Sequence, residues 1–283
     1  MAQISSDIVP YLPEDIEREI FQLTAAVYPD AATQLLQVAT RIRSWIEPIT
    51  HEVVIYHRTK VVPPQLSLES FARNAKYIRH LLIGGPDRNA NKDLISRLPL
   101  CSHLVDLAIW TGDVRGVLEY LEDLRLQRLS ISFRTLFGPG RNRFTKEEGL
   151  LPVFSDITHL EVITPCYWAD ECEGFTQLPQ LTHLSIMPES GSDTTGYCLA
   201  ECKNLKVLAV AEEIDPEGWA LYGSCQAVPS SPHQDPRAVY FRLNCIDDWE
   251  THARGGRGMW ARAEEDVLEQ LKEVERIEAK ARG

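Results

Sequence analysis

Three histidines pose the first chemical question. His80, His159 and His183 occupy equivalent places in short apolar segments: Ile78-Arg79-His80-Leu81, Ile157-Thr158-His159-Leu160 and Leu181-Thr182-His183-Leu184. If these segments are adjacent strands, residues in register sit about 4.8 Å apart. His159 and His183 could then offer two ligands to a metal, but two ligands do not make a site. Polar residues on an open sheet face are the plainer reading. The close cysteine pairs, Cys166/Cys172 and Cys198/Cys202, lack C-x2-C spacing and have no nearby histidine pair. Gly255-Gly256-Arg257-Gly258 is glycine-rich but does not open a βα unit with a G-x-G-x-x-G pattern. No Walker-type ending and no G-x-S-x-G elbow occurs. The residue types therefore point away from catalysis, metal and cofactor.

Composition narrows the classes further. Of 283 residues 44% are hydrophobic, and 29 basic against 41 acidic side chains give a formal charge of −12. An acidic chain has no general attraction for phosphate, so neither nucleic acid nor an anionic membrane is an expected partner. No apolar run approaches the roughly 20 residues that span a bilayer. Met1–Ser6 has no basic segment of the kind that opens a secretory leader. Seven scattered cysteines and no Asn-x-Ser/Thr site fit a reducing compartment, cytoplasmic or nuclear.

The elements that would position these residues come from a repeat. An aliphatic residue, two variable residues, an aliphatic, one variable and an aliphatic recur as Ile78/Leu81/Ile83, Leu104/Leu107/Ile109, Leu126/Leu129/Ile131, Ile157/Leu160/Val162, Leu181/Leu184/Ile186 and Leu205/Leu208/Val210. Ala238/Phe241/Leu243 is a degenerate seventh copy. Chance alone would supply about 24 such triplets at this hydrophobicity, so the flanks carry the argument. Each unit has an apolar residue six positions upstream (Ala72, Leu98, Tyr120, Leu151, Phe175, Leu199). All but one have another three upstream (Ala75, Cys101, Phe154, Leu178, Cys202), with Asp123 the misfit. A pair three apart shares one helix face, so each unit reads as a helical turn feeding a strand. Such a unit buries its apolar side only by stacking on its neighbours. The pattern resembles the leucine-rich repeat, L-x-x-L-x-L, over residues 72–245.

Residues 12–49 form a separate module. Pro13 suits a first helical position and is followed by acids. Ile16, Ile20 and Leu23 mark one face, Pro29-Asp30 punctuates, and a second run carries Leu35, Leu36, Val38, Ala39 and Ile42 up to Trp45-Ile46-Glu47-Pro48. Leu12, Pro13, Ile16, Ile20, Phe21, Leu35, Val38, Ala39, Arg41, Trp45 and Ile46 match the F-box pattern, and in these residues the chain resembles that three-helix family. Ala25–Thr33 replaces its usual Leu-Pro-containing turn.

The whole layout resembles fungal proteins that pair an F-box-like head with divergent leucine-rich repeats, and residues 247–260 resemble the tail of that group. The fold this implies is an α/β repeat: a leucine-rich-repeat-like solenoid with a curved parallel sheet. Residues 1–50 would be the F-box-like module, 51–246 the repeats and 247–283 a cap containing one charged helix. The function it implies is that of a non-catalytic, protein-binding substrate receptor in an SCF-type ubiquitin ligase. Leu12, Pro13, Ile16, Ile20, Phe21, Val38 and Trp45 would bind a Skp1-type adaptor, and through it a cullin. A repeat scaffold that binds a partner without a ligase role is the alternative.

The repeat register also selects a target-binding face. Third-position residues point away from the buried fourth and sixth, which places His80, Asp106, Arg128, His159, His183, Val207 and Tyr240 in a row on an open concave face. Trp110, Ser130, Glu161, Met187, Arg242 and Asn244 stand in neighbouring columns. Trp110, Arg128 and Tyr240 are the expected anchors, because binding hot spots favour these residue types. The inserted loops at 138–149 and 211–237 are the competing place for recognition.

Overall fold

A computed structural model describes residues 12–64, 66–112, 114–137, 144–146, 149–166, 172–188, 194–211, 235–241 and 246–282. The chain divides into two compact units, Met1–Glu52 and Val53–Gly283. The C-terminal segment belongs to the second.

The first unit is three helices, α1 (Glu14–Val27), α2 (Pro29–Leu35) and α3 (Thr40–Thr50). Pro13 is the N-cap of α1 rather than its first helical residue, and its carbonyl accepts from Glu17 N–H at 2.9 Å. The single run expected from Leu35 to Ile42 is split, because Ala39 is extended (φ −159°, ψ 155°) and separates α2 from α3. The last helix continues through Pro48 to Thr50.

The second unit is built on an open nine-stranded sheet. Its strands are β1 (Val53–His57), β2 (Val61–Val62), β3 (His80–Gly84), β4 (Asp106–Ile109), β5 (Arg128–Ile131), β8 (His159–Cys166), β9 (His183–Pro188), β10 (Val207–Ala211) and β11 (Ala238–Phe241). A separate antiparallel ribbon pairs β6 (Thr145–Lys146) with β7 (Gly149–Leu150). Within the sheet only β1–β2 is antiparallel, and the order from β1 to β11 follows the chain without reversal. Each of the seven repeat segments contains a parallel strand. The hairpin β1–β2 is an addition that the L-x-x-L-x-L search does not detect, because His51 takes the first aliphatic position.

One face carries the main core. Fourth- and sixth-position side chains (Leu81, Ile83, Leu107, Ile109, Leu129, Ile131, Leu160, Val162, Leu184, Ile186) pack under the connecting turns and helices. These include α4 (Leu68–Asn74), α5 (Arg88–Ile95), α6 (Phe133–Phe137) and α7 (Thr194–Glu201). The backbone repeats as well. The first-position N–H donates to the carbonyl three residues upstream, as in Leu104 to Cys101 (3.0 Å), Leu181 to Leu178 (3.3 Å) and Leu205 to Cys202 (3.1 Å). The second-position carbonyl accepts from two successive N–H groups of the next strand, as Gln127 O does from Thr158 and His159.

The seventh repeat is displaced from its expected register. Ala238 pairs with Leu208 and Tyr240 with Val210, so Tyr240 takes a sixth position and packs half-buried against the main core. Asp235 fills the first position in place of an aliphatic residue. It accepts from the backbone N–H of Arg237 (2.9 Å) and binds the Arg237 guanidinium, which also donates to the Leu199 and Leu205 carbonyls. A polar bracket has replaced the apolar one, and an apolar-spacing search misplaces the copy by three residues.

The opposite face is covered by α8 (Ile246–Ala253) and α9 (Met259–Arg282). Ile246 and Ala253 pack on Val53, Ile55, Leu82 and Ala108, while Ala263 and Val267 pack on Val207, Ala209 and Val239. The turn between these helices is the glycine-rich stretch. Gly255 has φ +78°, and the bonds Gly255 N–H to His252 O and Gly256 N–H to Thr251 O close a Schellman cap. A Cβ on Gly258 would lie 2.9 Å from Asp248 O and 2.6 Å from His252 Cβ, so this residue lets α9 approach α8. Asp248 and Arg262 then join the two helices by paired hydrogen bonds of 2.8 and 2.7 Å.

Leu184 is fully buried, and Leu184→Ala should lower unfolding stability by about 2–5 kcal/mol in urea titration. Leu268→Ala, at an exposed position on α9, should change it by no more than about 0.5 kcal/mol. Equal effects would contradict the assigned core.

Candidate functional site

In the first unit the helices bury Ala25, Ala32, Ile42 and Ile46, with Phe21, Leu35, Leu36, Trp45 and Ile49 packed around them. Arg41 on α3 grips both carboxylate oxygens of Glu17 on α1 at 2.7 and 2.8 Å. Leu12, Ile16, Ile20, Leu23 and Val27 remain exposed. Ile16, Ile20, Leu23 and Val27, spaced three and four apart, form one stripe along α1, and Leu12 is exposed just ahead of that helix. Ile20 is 49% and Val38 59% exposed. Of the expected adaptor-binding residues, Leu12, Pro13, Ile16, Ile20 and Val38 are exposed, whereas Phe21 and Trp45 are partly taken up by the unit's own core.

In the second unit the expected row is real, but its exposure is not. Val53, His80, Asp106, Arg128, His159, His183 and Val207 lie in register across seven strands. Asp106 is only 3% and His183 4% exposed, because α8 and α9 lie over them. His80, Trp110, Arg128 and His159 are half-buried. Tyr240 lies on the other face, as its shifted register requires. The physical reason is the company the row keeps. The adjacent fifth-position column reads Ile55, Leu82, Ala108, Ser130, Glu161, Ser185, Ala209, Val239. It is apolar at both ends, and those ends need cover. Arg242, Asn244, the Met187 side chain and most of the two inserted loops lie outside the described residues.

The covered middle is polar and closely paired. His159 and His183 stack with ring centres 4.1 Å apart and planes 7° apart, and Trp260 stands edge-on to both. Each ring Nδ1 is hydrogen-bonded at 2.8 Å to the preceding threonine hydroxyl, Thr158 or Thr182. His183 Nε2 donates to Glu264 on α9 at 3.0 Å, since a carboxylate can only accept. His80 meets Asp106 at 3.4 Å, and Trp110 Nε1 donates to Ser130 Oγ at 2.7 Å.

Beside this pair lies a cavity of about 50 Å³, lined by Asp106, Trp110, Arg128, Ser130, His159 and Glu161 from the sheet side and by Asp248, Trp249, His252, Met259 and Trp260 from the helices. The helix residues were not expected at any site. Their signal was the density of Trp, His and Met between 247 and 260, beside a sheet face with apolar ends. Among the described residues no group of three or more His, Cys, Asp or Glu could hold a metal, and no helix is long and apolar enough to cross a membrane. Set against family models, curated proteins and solved structures, the chain matches none.

Burial controls the protonation of this layer. It lowers the His159 pKa to about 2, helped by the charges of His183 and Arg128. It lowers His57 to about 4, and it lowers His252 and His183 too, the last against the pull of Glu264. It raises Glu161 to about 7, with the Asp106 charge adding. A histidine whose folded pKa is depressed contributes stability above pH 6.5 that is lost as pH falls. Glu161 acts oppositely, favouring the fold below pH 4.5 and losing that contribution as pH rises through 7. Between pH 6.5 and 5 four histidines outweigh one carboxyl. The melting temperature should therefore fall from pH 7 to pH 5, and the fall should be shallower in His159→Gln. A melting temperature that rises or stays level over this range would contradict the buried, neutral layer.

Proposed function

We propose that the chain is a non-catalytic protein-binding subunit, the substrate receptor of an SCF-type ubiquitin ligase. Its first unit is the F-box-like module that docks a Skp1-type adaptor. The observation that carries this reading is the exposed α1 stripe Ile16, Ile20, Leu23 and Val27, accompanied by exposed Leu12 and Val38, on a helical unit that already has its own core. Contiguous exposed apolar side chains of this kind mark interaction surfaces. The spacing of the matching residues favours the adaptor over other partners.

The second unit is a divergent leucine-rich-repeat-like array. Three features support this: strand order that follows chain order, L-x-x-L-x-L side chains in register from β3 to β10, and the recurring turn and carbonyl pattern. Stacked units give such an order, whereas a doubly wound sheet reverses it at a switch point. The sheet face under α8 and α9 is occupied by the chain itself. Target recognition therefore belongs to surfaces other than the row His80, Asp106, Trp110, Arg128, His159 and His183.

Co-expression with a Skp1-type adaptor tests the reading. The parent chain should capture the adaptor, and Ile20→Asp should abolish capture while the circular dichroism spectrum and melting temperature of the sheet unit stay unchanged. Absence of capture by the folded parent chain would favour a repeat scaffold with no ligase role.

A further inference from the structure

Helix α9 runs across the sheet and off its end. Trp260 stands edge-on to His159 on β8 and His183 on β9, and Glu264 accepts from His183. Ala263 and Val267 pack on Val207 and Ala209 of β10 and on Val239 of β11. Gln270 Nε2 then donates to Ala238 O of β11 at 3.3 Å. From Trp260 to Gln270 the helix rises about 15 Å, roughly three strand spacings, so it crosses β8 to β11 nearly at right angles. Among the described residues β11 is the last strand at this edge, and every residue from 271 to 282 is exposed. About 18 Å of helix therefore stands clear of the sheet.

That free length carries an apolar seam. Ala263, Val267, Gln270, Val274, Ile277 and Ala281 recur at alternating steps of four and three, with Leu271 beside them. This is the spacing of a contact between two helices. The first two members rest on the sheet, whereas Leu271, Val274 and Ile277 are exposed. Charge changes sign along the same helix. Residues 264–269 carry Glu264, Glu265, Asp266 and Glu269 and no base. Residues 271–282 carry four bases against three acids, a net positive end in a chain of formal charge −12. A copy of this helix laid antiparallel sets base against acid, whereas a parallel copy sets like charges level.

We infer that the free length of α9 is a self-association surface, on which a second copy of this chain lays its own α9 antiparallel about a two-fold axis. Val274 of one copy layers against Ile277 of the other, and Leu271 closes the seam. This register brings Lys280 and Arg282 of each copy level with the stretch from Glu269 to Glu273 of the other. Opposed helix dipoles add to the fit. The seam lies on the side of α9 that faces the sheet, so each free end comes to lie beside the other copy's β11 and covers an open sheet edge. The surface is independent of the adaptor-docking proposal, because every residue in it belongs to the second unit.

Sedimentation equilibrium of the full chain from low micromolar to submillimolar concentration tests the inference. The parent chain should pass from monomer to dimer. Val274→Asp should weaken association about tenfold or more by placing a charge in the seam. Position 274 is exposed and clear of the sheet, so this variant should keep the parent's circular dichroism spectrum. Lys280→Glu with Arg282→Glu should weaken association as well, and adding Glu269→Lys with Glu273→Lys should restore it. Ile20→Asp, on the first unit, should leave it unchanged. A folded parent chain that stays monomeric throughout would leave the seam to some other protein and overturn the proposal. So would a dimer insensitive to Val274→Asp, a dimer lost in Ile20→Asp, or charge reversals that change nothing or that the compensating pair does not restore.

Discussion

A parallel sheet has two faces, and each must be covered by packing or be polar enough to face water. In this chain the first face is met by the repeat itself, because the described sheet strands from β3 to β11 carry apolar residues at their fourth and sixth positions. The second face has apolar ends and a polar middle. Neither end can be left to water, and one helical hairpin covers both. The polar middle is enclosed as a consequence. The histidine stack, the raised Glu161 and the cavity beside Arg128 all follow from that enclosure.

The hairpin is held where local chemistry and distant contacts agree. Gly255 supplies the left-handed turn, Gly258 permits close approach, and Asp248–Arg262 ties the two helices. Lys60, in the β1–β2 turn, reaches Glu250 on α8, and Glu264 on α9 accepts from His183. Along the rest of α9, Leu268, Leu271, Val274 and Ile277 stay exposed. The helix covers the sheet with its first turns only.

The strands were legible because aliphatic residues at fixed spacing report burial on one face directly. All seven segments so chosen contain strands, and α9 is a charged helix within 247–283, where one was expected. Two failures have separate causes. The last repeat slipped because Asp235 and Arg237 bracket it by hydrogen bonds, which an apolar pattern does not register. The face of the row was legible, since His80, Asp106, Arg128, His159 and His183 do share a side, but its exposure was not. Polarity at the third position suggested solvent, while the fifth-position Leu82, Ala108, Ala209 and Val239 already argued for cover. Reading both columns together would have assigned Ile246, Trp249, Trp260 and Val267 to that cover.

The enclosed polar layer joins fold and chemistry, and His159 reports on it most directly. On an open face its ring would titrate near pH 6.5. Stacked on His183, edged by Trp260 and covered by α8 and α9, it should stay neutral far below that value, consistent with a pKa near 2. Nuclear magnetic resonance of the His159 ring protons between pH 8 and pH 5 makes the distinction. Chemical shifts that do not move over this range are the expected result. A titration centred near pH 6.5 in the folded chain would show the face open and contradict the account.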